Sequence, residues 1–163
     1  MHIFIKKNYL IFQNYKVKCA IGKRGINIKK KEGDLITPKG TFKIKKLLYR
    51  LDKIGAINTN LKKTVIKKNM GWCNDIASKD YNKLISFPFK FTAEKLYRKD
   101  NIYDLILVLN YNMNPIKKGK GSAIFIHVAK NNFKATEGCV VLKKNDLKRI
   151  VKKLNKNIKV IIT

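Results

Sequence analysis

The sequence predicts a mainly β fold with few helices, an α+β domain, and three observations carry that expectation. Short apolar runs of three to six residues recur between polar turns, the spacing of strands rather than helices. Several of them alternate apolar with basic residues, as half-buried strands do. Helical periodicity appears once, near the C-terminus, where Leu147, Ile150, Val151 and Leu154 fall at i, i+3, i+4 and i+7.

The elements follow in order. Residues 3–5 and 9–12 flank the polar Lys6-Lys7-Asn8, as the arms of a hairpin would, and residues 15–21 alternate apolar and basic side chains. Residues 22–34 read as a loop with Gly22, Gly25 and Gly33. Thr37-Pro38-Lys39-Gly40 is a turn signal leading into strand alternation over residues 41–44. Residues 52–102 form the least regular part, polar and aromatic by turns, and a long irregular stretch with that many aromatics reads as functional rather than disordered. Residues 102–109 have the apolar density of a central strand, and residues 123–126 form another. The helix around Leu147 is expected to be capped by Asn145, and residues 158–162 make a last strand. No repeat, linker or composition shift divides the chain, so residues 1–163 are expected to be one domain.

Composition narrows the chemistry. Lys plus Arg is 38 and Asp plus Glu is 10, so the net charge is 38 − 10 = +28, while 45% hydrophobic and 10% aromatic residues are enough to build a core. Only four of the cations are Arg: Arg24, Arg50, Arg98 and Arg149. Reading bases or gripping phosphates bidentately leans on Arg, and no nucleic-acid motif accompanies the lysines, so specific nucleic-acid recognition is not expected. Dispersed Lys doublets fit either a codon bias that inflates Lys, Asn and Ile together or non-specific attraction to an anionic polymer. No apolar run approaches the length of a membrane-spanning helix. Cys19, Cys73 and Cys139 form neither a disulfide framework nor, with two His, a structural metal set.

The segment 121–142 stands apart. An apolar strand delivers His127 at its end, a polar loop follows, and Thr136-Glu137-Gly138-Cys139 leads into the apolar Val140-Val141-Leu142. A thiol becomes a nucleophile when a neighbouring imidazole takes its proton. His127 is the one interior histidine, so Cys139 and His127 are the candidate nucleophile and base. Backbone N–H groups around Gly138 and Cys139 are candidates for an oxyanion hole, with Thr136 and Glu137 shaping the turn. The residue pattern alone also allows both to be packing residues.

This segment resembles the catalytic signature of the L,D-transpeptidase (YkuD-like) family, in which a His at a strand end precedes a Ser/Thr-His-Gly-Cys motif. Here the pieces are His127 and Thr136-Glu137-Gly138-Cys139, with 139 − 127 = 12 positions from His to Cys. A second segment, Lys31-Glu32-Gly33-Asp34 followed by Thr37-Pro38-Lys39-Gly40-Thr41-Phe42-Lys43-Ile44, is similar to the family's Thr-Pro-x-Gly-x-Phe/Tyr-x-Ile stretch. Gly71-Trp72-Cys73-Asn74-Asp75 looks like a compact branch of the family. Glu137 stands where the family has a second His, and Val141 where Arg or Asn follows the Cys by two.

The resemblance implies a sandwich- or barrel-like sheet and acyl transfer through a thioester on Cys139, without metal or organic cofactor. The partners it implies are peptidoglycan stem peptides, and the protein is expected to be a monomer. The donor is a stem peptide and the resolving group an amine of a second stem, with hydrolysis or D-amino-acid exchange as alternatives. A basic polyanion-binding protein on the same fold is the competing class. His127 is expected to be oriented by a backbone carbonyl, as the family implies, or by Glu137. Trp72, Tyr81, Tyr111 and Ser122 are candidates for the walls of the peptide cleft. The chemistry implies the periplasm or cell wall, whereas residues 1–15 have no signal-peptide pattern, which leaves the cytoplasm as the alternative.

Overall fold

The structure, a computed structural model, describes residues 1–163. The chain runs through β1 (Ile3–Lys6), β2 (Tyr9–Phe12), β3 (Tyr15–Ala20), β4 (Ile26–Asn27), β5 (Thr37–Pro38) and β6 (Gly40–Tyr49). There follow a one-turn helix α1 (Leu51–Ile54), β7 (Lys63–Val65), β8 (Met70–Cys73), β9 (Leu84–Ser86), β10 (Ala93–Lys95) and β11 (Leu105–Leu109). It finishes with β12 (Phe125–Val128), β13 (Val140–Leu142), α2 (Lys144–Val151) and β14 (Lys159–Ile162). The expected class holds: strands dominate, and the one amphipathic helix precedes the last strand.

The first three strands form where the apolar runs flanking Lys6-Lys7-Asn8 and the alternation over residues 15–21 place them. β1–β2 and β2–β3 are joined by two-residue hairpin loops that start at Lys7 (φ 51°) and Gln13 (φ 54°). The tight reversal requires positive φ there, although neither residue is glycine. Pairing then runs β11-β12-β13-β3-β2-β1-β14-β6, and β6 also pairs with β11, so the sheet closes on itself in a barrel-like ring with β7 added to β6. One strand serves two neighbours in succession because β6 is long: Gly40–Lys43 pair with β14, and Ile44–Tyr49 with β11.

The ring encloses the larger core, 26 buried side chains that include Leu105, Leu107, Leu109, Ile126, Val140 and Leu142. α2 closes it with most of the face anticipated from its spacing, since Leu147, Ile150 and Val151 are buried, while Leu154, also buried, lies past the helix end at Val151. Its start differs from expectation. Lys143, not Asn145, is the N-cap and offers no side-chain cap, because the chain passes straight from β13 through an extended Lys143 into the helix.

The segment 52–102 is more regular than its sequence suggests. β8 lies between β10 and β9 in a separate antiparallel sheet of three strands. A smaller core links this sheet to the outer face of the ring: Leu48, Ile66, Trp72, Leu96, Tyr103, Ile106, Val108 and Phe125. β11 is therefore buried on both faces, with odd-numbered residues in the larger core and Ile106 and Val108 in the smaller. No helix is long and apolar enough to cross a membrane.

Candidate active site

The two-residue period of strands places the chemistry. β12 pairs with β11 so that His127 lies opposite Ile106 and Phe125 opposite Val108. His127 and Phe125 therefore share the outer face of the ring, on the side of the smaller core. β13 runs parallel beside β12 with His127 opposite Val141 and Ile126 opposite Val140. Cys139 and Val141, two apart, fall on that same outer face. The register brings Cys139 next to Phe125, whose N–H donates to Sγ at 3.4 Å, while the thiol donates to the Ala123 carbonyl at 3.1 Å.

Cys139, His127, Val141, Ser122, Thr136, Glu137 and Gly138 all line one cleft of about 700 Å³, together with Glu94, Arg98, Tyr103 and several lysines. The His127 ring is set by the backbone. Its Nδ1 lies 3.1 Å from the Ile102 carbonyl and 3.0 Å from the Val128 carbonyl. Both partners can only accept, so Nδ1 carries the proton and Nε2 is left as the open acceptor. Tyr103 stands edge-on to the imidazole at 4.9 Å between ring centroids. Glu137, the alternative orienting group, is exposed and makes no hydrogen bond to the ring.

Burial governs both reactive groups. It lowers the His127 pKa to about 4, against the two carbonyl contacts that raise it. It pushes the Cys139 thiol up to about 12, against the Phe125 N–H that lowers it. The resting pair is thus a neutral thiol and a neutral imidazole, not a thiol depressed by its neighbour as the sequence led us to expect. Charge separation is unfavourable in so dry a place.

The Cys139 turn is held from a distant part of the chain. The buried Thr37 hydroxyl accepts the Gly22 N–H at 2.8 Å and donates to the Gly138 carbonyl at 2.9 Å, 101 positions away. Gly138 has φ 148°, and a Cβ there would sit 2.9 Å from the Ile36 carbonyl oxygen, so this close approach needs glycine. Thr136 Oγ donates to the Cys139 carbonyl at 2.5 Å and accepts the Gly138 N–H at 3.1 Å. That occupies one of the two N–H groups expected in an oxyanion hole. The Cys139 N–H takes no protein acceptor and stays free. Asp34, from the same distant segment, is buried. Burial would raise its pKa, but Lys29 at 2.5 Å and the N–H groups of Lys30, Lys31 and Ile36 lower it to about 2.

Three of the anticipated wall residues, Trp72, Tyr81 and Tyr111, do not line this cleft. Trp72 is buried in β8, its Nε1 donating to Asn82 at 3.0 Å and its ring packed edge-on against Phe125. Tyr81 is buried, its hydroxyl donating to Glu32 and accepting the Gly121 N–H at 3.0 Å. Tyr111 donates to the Lys120 carbonyl at 2.6 Å. A large aromatic gains more from burying its ring and pairing its polar tip than from lining an open groove. Sequence reasoning missed Glu94 and Tyr103, the first on a three-residue strand with no motif around it. No three His, Cys, Asp or Glu side chains converge as a metal set.

A model of the L,D-transpeptidase catalytic domain family (YkuD) matches residues 2–162, nearly the whole chain. The chain belongs to this family. No curated protein matches it significantly. The Thr37 hydroxyl thus joins the two stretches that carry the resemblance to this family, the Thr-Pro-Lys-Gly segment and the Gly138-Cys139 turn.

Proposed function

We propose that this L,D-transpeptidase-family protein is a cysteine-dependent acyltransferase that crosslinks peptidoglycan stem peptides in the periplasm or cell wall. One observation carries the reading: Cys139 and His127 share a face of adjacent strands in one cleft, with the imidazole fixed as the Nδ1–H tautomer. The donor class, a stem peptide with an L-configured centre at its third residue, rests on the family.

In the acylation step Sγ attacks the donor carbonyl as its proton passes to His127 Nε2. The C–S bond forms, the C–N bond breaks, and the imidazolium returns the proton to the departing amine, by family analogy that of a terminal D-Ala. Because thiol and imidazole are both neutral at rest, proton transfer accompanies attack. The free Cys139 N–H is the backbone donor suited to the developing oxyanion. A side-chain amine of a second stem then takes the acyl group, whereas water in its place gives hydrolysis.

The test is acylation by a carbapenem followed by mass spectrometry, alongside turnover of a tetrapeptide muropeptide. An adduct on Cys139 and crosslinked product are expected. An unmodified Cys139 would remove the nucleophile assignment.

A further inference from the structure

This chain of 38 lysines and arginines contains only three glutamates, Glu32, Glu94 and Glu137. All three line the catalytic cleft. None takes part in a salt bridge, although five of the seven aspartates do. A carboxylate left without a cation in so basic a protein is open to an incoming one.

The three are not equivalent. Glu137 is exposed on the loop before Cys139. Glu32 is engaged by the Tyr81 hydroxyl. Glu94 projects from β10, opposite Trp72 in register, and its Oε1 accepts the Tyr103 hydroxyl at 2.7 Å. Its Oε2 has no hydrogen bond from the protein and is not among the sealed unsatisfied atoms, so it is open to the cleft. The charged group that acts on it most favourably, Arg98, is committed to Asp100 by two hydrogen bonds of 2.9 and 2.7 Å. The same Tyr103 that fixes Oε1 packs edge-on against His127, which ties the carboxylate to the reacting pair.

Resting on the transpeptidase reading above, we infer that Glu94 is the residue that receives the ammonium group of the acyl acceptor, with Oε2 as its hydrogen-bond partner. A primary amine arrives protonated at neutral pH and has to lose two protons to become an amide nitrogen. Glu94 takes the first and leaves a free amine. That amine attacks the thioester carbonyl, the N–C bond forms, and His127 Nε2 takes the second proton. As the C–S bond breaks, the imidazolium returns that proton to Sγ, so thiol, imidazole and amide are restored and Glu94 ends as the acid. Burial raises the Glu94 pKa, against Tyr103 and Arg98 and together with Glu137, which favours holding that proton.

The test compares two acceptors on the full-length enzyme with a tetrapeptide donor. Nα-acetyl-lysine amide offers a side-chain ammonium, whereas hydroxylamine is uncharged at neutral pH and has nothing to gain from a carboxylate. In Glu94→Gln, which keeps an oxygen for Tyr103, kcat/KM for the lysine acceptor is expected to fall at least tenfold. Hydroxamate formation should change less than twofold. An equal loss with both acceptors would place Glu94 in support of His127 through Tyr103 and overturn the inference, as would no loss with either. The unsubstituted enzyme gives an independent reading: its KM for the lysine acceptor should lie at least tenfold below that for hydroxylamine, and equal values overturn the inference whatever the variant does. Failure of the transpeptidase reading looks different, since neither acceptor then gives product, no acyl-enzyme forms on Cys139, and both readings fall.

Discussion

The two cores sit back to back on β11 and are built from different materials. The larger, inside the ring, is almost wholly aliphatic, with Phe12 and Tyr49 its only aromatic rings. The smaller holds eight side chains, of which Trp72, Tyr103 and Phe125 are aromatic. Its rings are tied to polar partners: Trp72 to Asn82, Tyr103 to Glu94. The Phe125 backbone N–H reaches Cys139 Sγ. One strand thickness thus separates a core that holds the fold from one that borders the candidate site. The aliphatic core has only to exclude water, whereas the aromatic one must fix directional contacts at the edge of a cleft.

Substitutions should separate the two functions, and the largest effect is expected at Cys139. Cys139→Ala removes the proposed nucleophile from a half-buried position and leaves both cores intact. Turnover of tetrapeptide muropeptides and carbapenem acylation should fall to background while the thermal midpoint moves by only a few degrees. Cys73→Ala, which deletes a thiol buried in β8, should retain activity. Near-normal turnover in Cys139→Ala would unseat the assignment.

His127 comes next. Losing positioned proton transfer typically costs about 10² to 10⁴ in rate, so His127→Ala should slow acylation by that factor. Alkylation of Cys139 at neutral pH should slow too, since the thiol then has no base. Equal alkylation rates in the two proteins would mean that they are not a functional pair. The pH dependence is a second check. With the folded pKa lowered to about 4, the imidazole is neutral and able to accept a proton down to that pH, so the acid limb of acylation should lie near 4. Stability has the opposite stake. Between the ordinary value near 6.5 and about 4, the unfolded chain binds a proton on this residue that the folded one does not. His127 therefore costs stability as pH falls through that window, and His127→Ala should lose less stability there than the parent protein.

The two faces of β11 then give a paired comparison. Leu107→Ala opens the larger core and should cost about 2–5 kcal/mol, with the acylation rate of the folded fraction unchanged. Ile106→Ala opens the smaller core at a similar cost, but Ile106 is the cross-strand partner of His127, so acylation should slow as well. Denaturant unfolding and carbapenem labelling on the same samples separate the outcomes. Equal labelling in both variants would break the division of labour between the cores.

The larger core was legible in the sequence and the smaller was not, for a physical reason. β1, β2 and β14 read as short apolar runs bounded by polar turns, β3 as an apolar–basic alternation, and α2 shows its buried face at helical spacing. The strands of the second sheet are three or four residues long, too short for a period of two to repeat. They are also pinned by side-chain hydrogen bonds that no pattern announces. The site followed the same division. Cys139 and His127 stand out in the sequence because each adjoins a legible strand, while Glu94 and Tyr103, which line the same cleft, come from elements that are not legible. Of the aromatic wall candidates only Trp72 sits on a short strand, β8, while Tyr81 and Tyr111 lie in turns, where their hydroxyl contacts with Glu32 and the Lys120 carbonyl leave no pattern to read.

The smallest of these effects falls on Thr37, the contact that joins the Thr-Pro-Lys-Gly segment to the Cys139 turn. Its hydroxyl serves two buried backbone groups, the Gly22 N–H and the Gly138 carbonyl. Thr37→Val keeps the shape and removes both bonds, leaving a buried donor and a buried acceptor unpaired. A group left so costs about 1–3 kcal/mol, and the loss should appear in denaturant unfolding. Thr37→Ser, which keeps the hydroxyl, should restore most of it. The informative readout is the acylation rate. Thr37 touches no reacting atom, so any slowing reports only on how firmly the Gly138 carbonyl anchors the turn that carries Cys139 and its free N–H. If Thr37→Val loses stability but labels with carbapenem at the parent rate, the turn is held by Thr136 and the Gly138 packing alone. If labelling slows and Thr37→Ser recovers it, the two motifs work as one positioning device, and a contact spanning 101 residues sets the geometry of the nucleophile.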